Sequence, residues 1–403
     1  MDLAPIAAVE IGTSRIRVAV GEIREDDHLQ VIGVGECPSR GIRKGDIIDM
    51  DAALSCLKIA LHQAEEASET TIQQVYVPIT GGHIQSLVNR GSIPIMDSNH
   101  EILPEHVDDV QEIAKSITLP TDRELIHSIC QYYYLDDQKG VINPVGMEAS
   151  KLAADVLIIH GNSGRIRNLC KLVKSIPLEV EDTVLSGLCS ALAVLQPEEK
   201  ENGALVIDLG GGTTDYLGYA DSTIAVAGSL AIGGDHISND IARGLRISLP
   251  NAERIKEQAG SAIIHLANRT QKLDLPGDTG PDGRVVRFGD VQTITSLRAE
   301  EILNMVKAHV EQGDLLQRFG SGVVLTGGGA HLDRMAELAS KVFGMPCRAG
   351  KSRDVSGLAT TANRPEYATI IGLLRYAARA ARRKETGSNS LVNRFIRIMT
   401  GGK

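Results

Sequence analysis

Residues 204–219, ALVIDLGGGTTDYLGY, decide the fold class, because three consecutive glycines separate two apolar runs. A buried strand, a tight turn and a second strand give this pattern. Glycines leave the backbone N–H groups open to a ligand, as a polyphosphate requires, and neighbouring hydroxyls add donors. The predicted phosphate-binding turn consists of Gly210, Gly211, Gly212, Thr213 and Thr214.

Two aspartates, Asp208 and Asp215, flank this turn. Carboxylates repel bare phosphate, so their presence is favourable only if Mg²⁺ or a magnesium-bound water lies between them and the ligand. A glycine hairpin with exposed aspartates would have the same sequence, and it is the alternative interpretation.

The same layout occurs near the start of the chain and again near its end. Residues 6–20 contain an apolar run, the turn Gly12, Thr13 and Ser14, and an alternating run. Residues 323–330 are an apolar run that enters Gly327, Gly328 and Gly329, with a helix expected from about Leu332. On its own, the last segment is equally well a structural strand-to-helix turn. The repetition predicts an internally duplicated α/β protein with a cleft between its halves.

Composition excludes several classes of protein. The chain has 403 residues, 42% of them hydrophobic, with a net charge of −9 and 3% aromatic residues, which disfavours disorder and nucleic-acid binding. Neither GxGxxG after the first strand nor GxxxxGK[ST] occurs. The six cysteines are scattered, which indicates reduced thiols, and we expect a cytoplasmic protein without a signal peptide or membrane-spanning helix.

Two blocks interrupt the duplicated halves. Residues 83–162 predict a small α+β insertion, with strands at 83–95, 125–135 and 151–160 and an amphipathic helix at 107–117. Residues 234–312 predict a second insertion with helices near 236–247, 251–260 and 297–312. Its turn-rich segment, residues 276–283, predicts a surface loop inside a hairpin.

Glu253 and Lys256 stand three residues apart at a helix start, and therefore on one helix face. Such a pair is usually a solvated ion pair on the surface. Spacing alone gives only weak support for a function.

Together these motifs and their order resemble the actin-like ATPase superfamily, and within it the FtsA family of bacterial cell division proteins. The resemblance extends over essentially the whole chain. It rests on the glycine turns, on AERIKEQAG at 252–260, and on four further segments: NPVGM at 143–147, SGVVLTGGGA at 321–330, VSGL at 355–358 and PEYATIIGLL at 365–374.

The resemblance implies an actin-like, ribonuclease H-like duplicated fold with two lobes around a nucleotide cleft. Subdomain 1A would comprise residues 1–82, 163–197 and 356–385, and subdomain 1C residues 83–162. Subdomain 2A would comprise 198–235 and 313–355, subdomain 2B 236–312, and a linker with a terminal helix 386–403.

The resemblance also implies roles for individual residues around ATP. Gly12, Thr13 and Ser14 would form a first phosphate loop, and residues 210–214 a second. Glu253 and Lys256 would flank the ribose and adenine. Further implied contacts are Gly234, Gly327, Gly328 and Gly329 for the nucleotide, and Glu10 and Asp208 for Mg²⁺ through water.

Two positions depart from the superfamily pattern. The first phosphate loop usually opens with Asp, whereas this chain has the longer Glu10. Ser186 stands roughly where chaperones and rod-shape actins carry a Glu that orients the attacking water, and a serine cannot act as a carboxylate base. We therefore expect secure ATP binding and, at most, slow hydrolysis.

The last segment of the chain predicts an amphipathic helix. At about 100° per residue the apolar side chains fall within an arc of roughly 160°, with arginines on the polar side. The candidate membrane-contacting residues are Leu391, Val392, Arg394, Phe395, Ile396, Arg397, Ile398 and Met399. A helix docked on its own domain is the alternative.

The expected function is an ATP-binding filament protein that tethers the cytokinetic ring to the cytoplasmic face of the inner membrane at the septum. Its expected partners are the C-terminal peptide of the tubulin-like protein FtsZ, other copies of itself, anionic lipid and other division proteins. One rival is the type IV pilus adaptor PilM, which the amphipathic tail disfavours. A sugar kinase is a second rival, but no carboxylate base for a substrate hydroxyl is evident by spacing.

Overall fold

The computed structural model describes residues 5–24, 28–96, 99–275, 284–357 and 364–385. The candidate membrane residues 391–399, the predicted loop 276–283 and Leu358 of the VSGL segment lie outside these ranges.

The strands, in chain order, are β1 (Ile6–Ile11), β2 (Arg15–Ile23), β3 (Leu29–Pro38), β4 (Ile42–Arg43), β5 (Asp46–Ile47), β6 (Gln74–Ile79), β7 (Gln85–Pro94), β8 (Arg123–Leu135), β9 (Gln138–Val141), β10 (Lys151–Asn162), β11 (Glu179–Leu185), β12 (Ala204–Leu209), β13 (Thr214–Ala220), β14 (Thr223–Leu230), β15 (Lys272–Leu275), β16 (Arg284–Arg287), β17 (Val323–Thr326), β18 (Cys347–Ala349) and β19 (Val355–Gly357).

The α-helices are α1 (Met50–Ser68), α2 (Pro104–Lys115), α3 (Ser163–Lys174), α4 (Ser186–Val194), α5 (Pro197–Glu201), α6 (Gly234–Leu245), α7 (Leu249–Ala259), α8 (Phe288–Val310), α9 (Met335–Phe343) and α10 (Ala368–Glu385). Short 3₁₀ helices occupy Gln312–Arg318, Gly328–His331 and Pro365–Tyr367.

Two sheets share one topology. The first has the order β3-β2-β1-β6-β11, with β19 added beside β3, and the second has the order β14-β13-β12-β17-β18. In each of these five-strand orders, the first three strands pair as antiparallel neighbours. The fourth strand pairs in parallel with the third, and the fifth pairs in parallel with the fourth. The predicted duplication is therefore confirmed. We call the first sheet with its packed helices the first lobe, and the second sheet with α6–α9 the second lobe.

The main core lies between the sheets, around α4 and α10. All nine residues of α4 are buried, as expected of a helix with apolar and small residues on every side. At Gly372 of α10, a Cβ atom would collide with the carbonyl oxygen of Cys189 in α4. Glycine thus permits the close helix crossing on which both sheets pack.

Residues 83–162 form the predicted α+β insertion. Strands β7, β10, β8 and β9 make an antiparallel sheet in that order, and α2 packs against it through Val107, Val110 and Ala114. The helix begins earlier than predicted, at Pro104, because proline is favoured in the first turn of a helix.

The second insertion differs from its prediction in one helix. Helix α8 begins at Phe288, nine residues before the predicted start at 297. The buried face of this helix extends towards its N-terminus through Thr295 and Val291. The threonines of this turn have low intrinsic helix propensity, so the sequence pattern did not indicate the earlier start. Strands β15 and β16 pair as the predicted hairpin.

The helix expected from about Leu332 begins about one turn later than predicted. The chain first forms the 3₁₀ helix Gly328–His331, and α9 begins only at Met335. Arg334, with φ of 58°, adopts a left-handed conformation that interrupts helical geometry between them.

The six cysteines are free thiols. In the described ranges, no helix combines the length and apolar character needed to cross a bilayer.

Candidate functional site

A cavity of about 770 Å³ opens between the two lobes. The turn from β1 to β2 and the turn from β12 to β13 occupy equivalent places in the two sheets, and both line it. The predicted site residues that line this cavity are Glu10, Gly12, Thr13, Ser14, Asp208, Gly210, Gly211, Gly212, Thr213, Gly234, Glu253, Lys256, Gly327, Gly328 and Gly329.

The two turns lie against each other, which explains their glycines. A Cβ atom at Gly212 would lie 2.5 Å from the hydroxyl oxygen of Thr13, and one at Gly211 would lie 3.2 Å from Cβ of Ser14. The Thr13 hydroxyl also accepts the backbone N–H of Gly45 at 3.1 Å. A branched side chain in the second turn would therefore separate the turns.

The first residues of helix α6 are hydrogen-bonded to the second glycine turn, the one from β12 to β13. The N–H of Gly234 donates to the carbonyl of Gly210 at 2.9 Å, and the N–H of Asp235 donates to the carbonyl of Gly211 at 2.8 Å. The positive end of the helix dipole thus lies at the cavity wall, where it favours an anionic ligand.

One predicted residue lies elsewhere. The side chain of Thr214 is fully buried at the start of β13, and its hydroxyl donates to the carbonyl of Ile232 at 2.8 Å. Because this hydroxyl is used inside the fold, the Thr214 side chain does not face the cavity.

The Glu253–Lys256 pair is part of the cavity wall. Nζ of Lys256 donates to Glu253 at 2.7 Å, to Ser238 at 2.9 Å and to the carbonyl of Gly234 at 3.3 Å. The Lys256 side chain is only 15% exposed, unlike that of an ordinary surface lysine. Ser238 ties α6 to α7 through this pair.

The third glycine segment packs against the strand that leads into the second turn. Gly327 has φ of 78°, and a Cβ atom there would collide with Asp208 and the carbonyl of Leu209. At Gly329 a Cβ atom would lie 2.7 Å from Cβ of Leu209, whereas at Gly328 nothing lies within 4 Å. Glycine is required at the first of these positions by conformation and by contact.

Three carboxyl groups lie at the same end of the cavity. Burial raises the pKa of Glu10, although its 3.4 Å ion pair with Arg17 opposes the shift. Burial also raises the pKa of Asp208, which accepts hydroxyl hydrogen bonds from Ser190 and, at 2.8 Å, from Thr369. Burial, followed by the charge of Asp208, raises the pKa of Asp215 to about 7.

Thr80, which follows β6, was not found from the sequence. Its hydroxyl lies 2.8 Å from Asp215 and 3.2 Å from the Thr213 hydroxyl. No spacing rule relates a residue of one lobe to a carboxylate 135 positions away.

Arg17 was also missed, although a signal for it exists. Glu10 and Arg17 are seven residues apart, as are Asp208 and Asp215, and each pair is directly opposed in its sheet. Arg17 therefore occupies in the first lobe the place of Asp215 in the second.

Ser186 is the first residue of α4, buried at the cavity wall, and it hydrogen-bonds to Asp215. A carboxyl group therefore lies next to the Ser186 hydroxyl at the cavity wall.

Two family models match the sequence: Cell division protein FtsA over residues 205–372, and the SHS2 domain inserted in FTSA over residues 81–160. The chain is 34% identical over 373 residues to Cell division protein FtsA of Pseudomonas aeruginosa, covering 92% of this chain and 88% of that protein. It is 32% identical over 378 residues to FtsA of Escherichia coli K12, covering 92% and 90%.

Solved structures support the same fold. A PilM-PilN type IV pilus biogenesis complex matches with a TM-score of 0.63 at 16% identity, covering 92% of this chain and 97% of that one. MreB5 of Spiroplasma citri bound to ADP matches with a TM-score of 0.59 at 15% identity, covering 95% and 99%. The predicted actin-like fold is confirmed, and the identities to curated relatives show that the chain belongs to the FtsA family of bacterial cell division proteins.

Proposed function

We propose that this chain binds ATP with Mg²⁺ between its two glycine turns and, as a filament on the cytoplasmic face of the inner membrane, tethers the FtsZ ring at the septum. The observation that supports ATP binding is the cavity itself. Both glycine turns line the cavity of about 770 Å³ between the lobes, and the start of α6 adds its dipole.

The proposed nucleotide pose follows the cavity from end to end. The phosphates lie against the turns at Gly12–Ser14 and Gly210–Thr213, and the ribose lies beside Glu253 and Lys256. Gly327–Gly329 lie beneath the adenosine. Two fold relatives, structures of MreB5 of Spiroplasma citri bound to ADP and to AMPPNP, support a nucleotide in such a cleft.

The carboxylates of Glu10 and Asp208 fit a role in holding Mg²⁺. A divalent cation beside them would stabilise their ionised forms and oppose the rise in pKa that burial causes. Within the described residues, no group of three or more His, Cys, Asp or Glu side chains could hold a metal alone. Mg²⁺ would therefore be bound mainly through phosphate and water, which is its usual preference.

Hydrolysis is proposed to be slow. The side chain at position 186 is a hydroxyl, and the adjacent Asp215 already accepts hydrogen bonds from Thr80 and Ser229 as well as Ser186. These hydrogen bonds occupy the Asp215 oxygens, so the carboxyl group is poorly placed to orient an attacking water, although burial raises its pKa to about 7.

The membrane contact is assigned to the amphipathic segment 391–399, whose pattern combines an apolar arc with arginines. A single short helix binds weakly, so filament formation would strengthen the attachment through multivalency. Membership of the FtsA family supports self-association and contact with other division proteins, and the C-terminal peptide of FtsZ is the specific partner proposed.

A co-sedimentation experiment tests this function. The full chain, liposomes with anionic lipid, and FtsZ are mixed with ATP and Mg²⁺ or without nucleotide. We expect FtsZ to pellet with the liposomes only when the full chain is present, and more strongly with ATP. FtsZ left in the supernatant, although the chain itself pellets, would contradict the tethering role.

The pilus adaptor is the less favoured candidate. Its fold relationship, at 16% identity, establishes the architecture alone, whereas FtsA proteins match at 32–34% identity over nearly the whole chain.

A further inference from the structure

We propose that Arg17 is a phosphate-contacting residue, whose guanidinium binds the terminal phosphates of the nucleotide. This inference rests on the proposed function, because it concerns the same cavity. Arg17 lies on β2 directly opposite Glu10 on β1, and cross-strand partners project from the same face of a sheet. Its side chain thus lies beside the first glycine turn and lines the cavity.

Arg17 is held in place on three sides. Its guanidinium lies 3.4 Å from Glu10, 3.5 Å from Glu36 and 4.7 Å from the centre of the Tyr367 ring. The Tyr367 hydroxyl in turn donates to Glu36 at 3.0 Å. A guanidinium fixed in this way loses little conformational entropy when it binds a further anion.

The carboxylates around Arg17 explain why a cation is needed at this place in the cavity. Glu10, Asp208 and Asp215 lie at the phosphate end of the cavity, where they would repel a polyphosphate. Two cations in this wall have largely buried side chains, Arg17 at 10% exposure and Lys256 at 15%. Lys256 is bonded to Glu253 and to the carbonyl of Gly234, whereas Arg17 is bonded to Glu10, one of the three carboxylates.

Arg15 provides a matched control. It lies on the same strand, lines the same cavity and bonds the same Glu36 at 3.2 Å, but its side chain is 42% exposed. If only the total charge of the cavity mattered, Arg15→Met and Arg17→Met would weaken nucleotide binding equally.

The experiment measures the affinities of the full chain for ATP, ADP and adenosine by displacement of a fluorescent ATP analogue, with circular dichroism to verify folding. Arg17→Met should lower the affinities for ATP and ADP by roughly 10- to 100-fold, the usual effect of losing a hydrogen bond to a charged group, and leave adenosine unchanged. Arg17→Lys should recover part of the loss, and Arg15→Met should change little.

Three results would overturn the inference. The first is a folded Arg17→Met variant that binds ATP as the wild type does, and the second is an equal loss for ATP and adenosine. The third is full recovery of ATP affinity in the Glu10→Gln/Arg17→Met double variant, because Arg17 would then act only by neutralising Glu10. A wild-type chain that binds none of the three ligands would overturn the proposed function as well.

Discussion

The hydroxyl of Thr80, in the first lobe, lies 2.8 Å from both carboxylate oxygens of Asp215, in the second lobe. Next to it, the N–H of Gly81 donates to the Ser229 hydroxyl at 3.1 Å. These bonds join the lobes beside the glycine turn at Gly210–Thr213. The protonation state of Asp215 therefore affects the stability of the contact between the lobes.

Asp215 should make stability depend on pH. Its pKa is raised from 3.8 to about 7, so the folded chain keeps a proton that the unfolded chain releases in this window. The contribution of Asp215 to the free energy of unfolding thus falls as the pH rises from 3.8 to about 7. Asp215→Asn should remove this contribution and raise the free energy of unfolding at pH 8 by roughly 1–3 kcal/mol.

Urea unfolding of both proteins between pH 5 and pH 8 checks this expectation. Asp221→Asn is the control, since Asp221 follows the same strand but its side chain is 69% exposed. A stability difference between wild type and Asp215→Asn that stays constant across the range would show that Asp215 is ionised throughout.

Gly211→Val should abolish tight ATP binding. The new side chain would begin 3.2 Å from Asp235 and from Ser14, and its branches would enter the space assigned to phosphate. Affinity for a fluorescent ATP analogue is the measurement, with Gly164→Ala in α3, outside the cavity, as the control. Unchanged affinity in a folded Gly211→Val protein would count decisively against this site.

Turnover should be slow, because position 186 carries a hydroxyl and not a carboxylate. Phosphate release with saturating ATP and Mg²⁺ should lie well below the roughly 1 s⁻¹ of typical slow enzymes. A rate at or above that value would show that another base acts. Asp215→Asn and Glu10→Gln would then test two of the carboxylates that line the cavity.

Local patterns allowed much of the cavity to be predicted. The turn at Gly210–Gly212 follows from glycines between apolar runs, and repetition of that layout gives the duplicated sheets. Thr214 was misplaced because a hydroxyl beside a glycine turn can face either the ligand or the fold, and only the contact with Ile232 decides between them.

Long-range contacts account for what could not be predicted. Thr80 meets Asp215 only because the two sheets face each other, and Tyr367 reaches Glu36 across 331 positions of sequence. The side-chain period of a strand says which face a residue occupies but not which distant group it meets. The role proposed for Arg17 depends on its register directly opposite Glu10, which the pairing of the two strands sets.

The last prediction concerns residues 388–403, which should attach the chain to membranes by both hydrophobic and electrostatic contact. Phe395 lies near the middle of the apolar arc, so Phe395→Glu would place a charge among acyl chains. Each cation near an anionic surface, such as Arg394 or Arg397, contributes about 1 kcal/mol to membrane binding. Sedimentation with anionic liposomes should therefore fall on deletion of 388–403, fall likewise with Phe395→Glu, and fall partly in high salt. ATP should strengthen binding if it promotes polymerisation, because many weak anchors then act together. If the truncated chain pellets as well as the full chain, the segment is not the anchor and serves instead as a helix docked on its own domain.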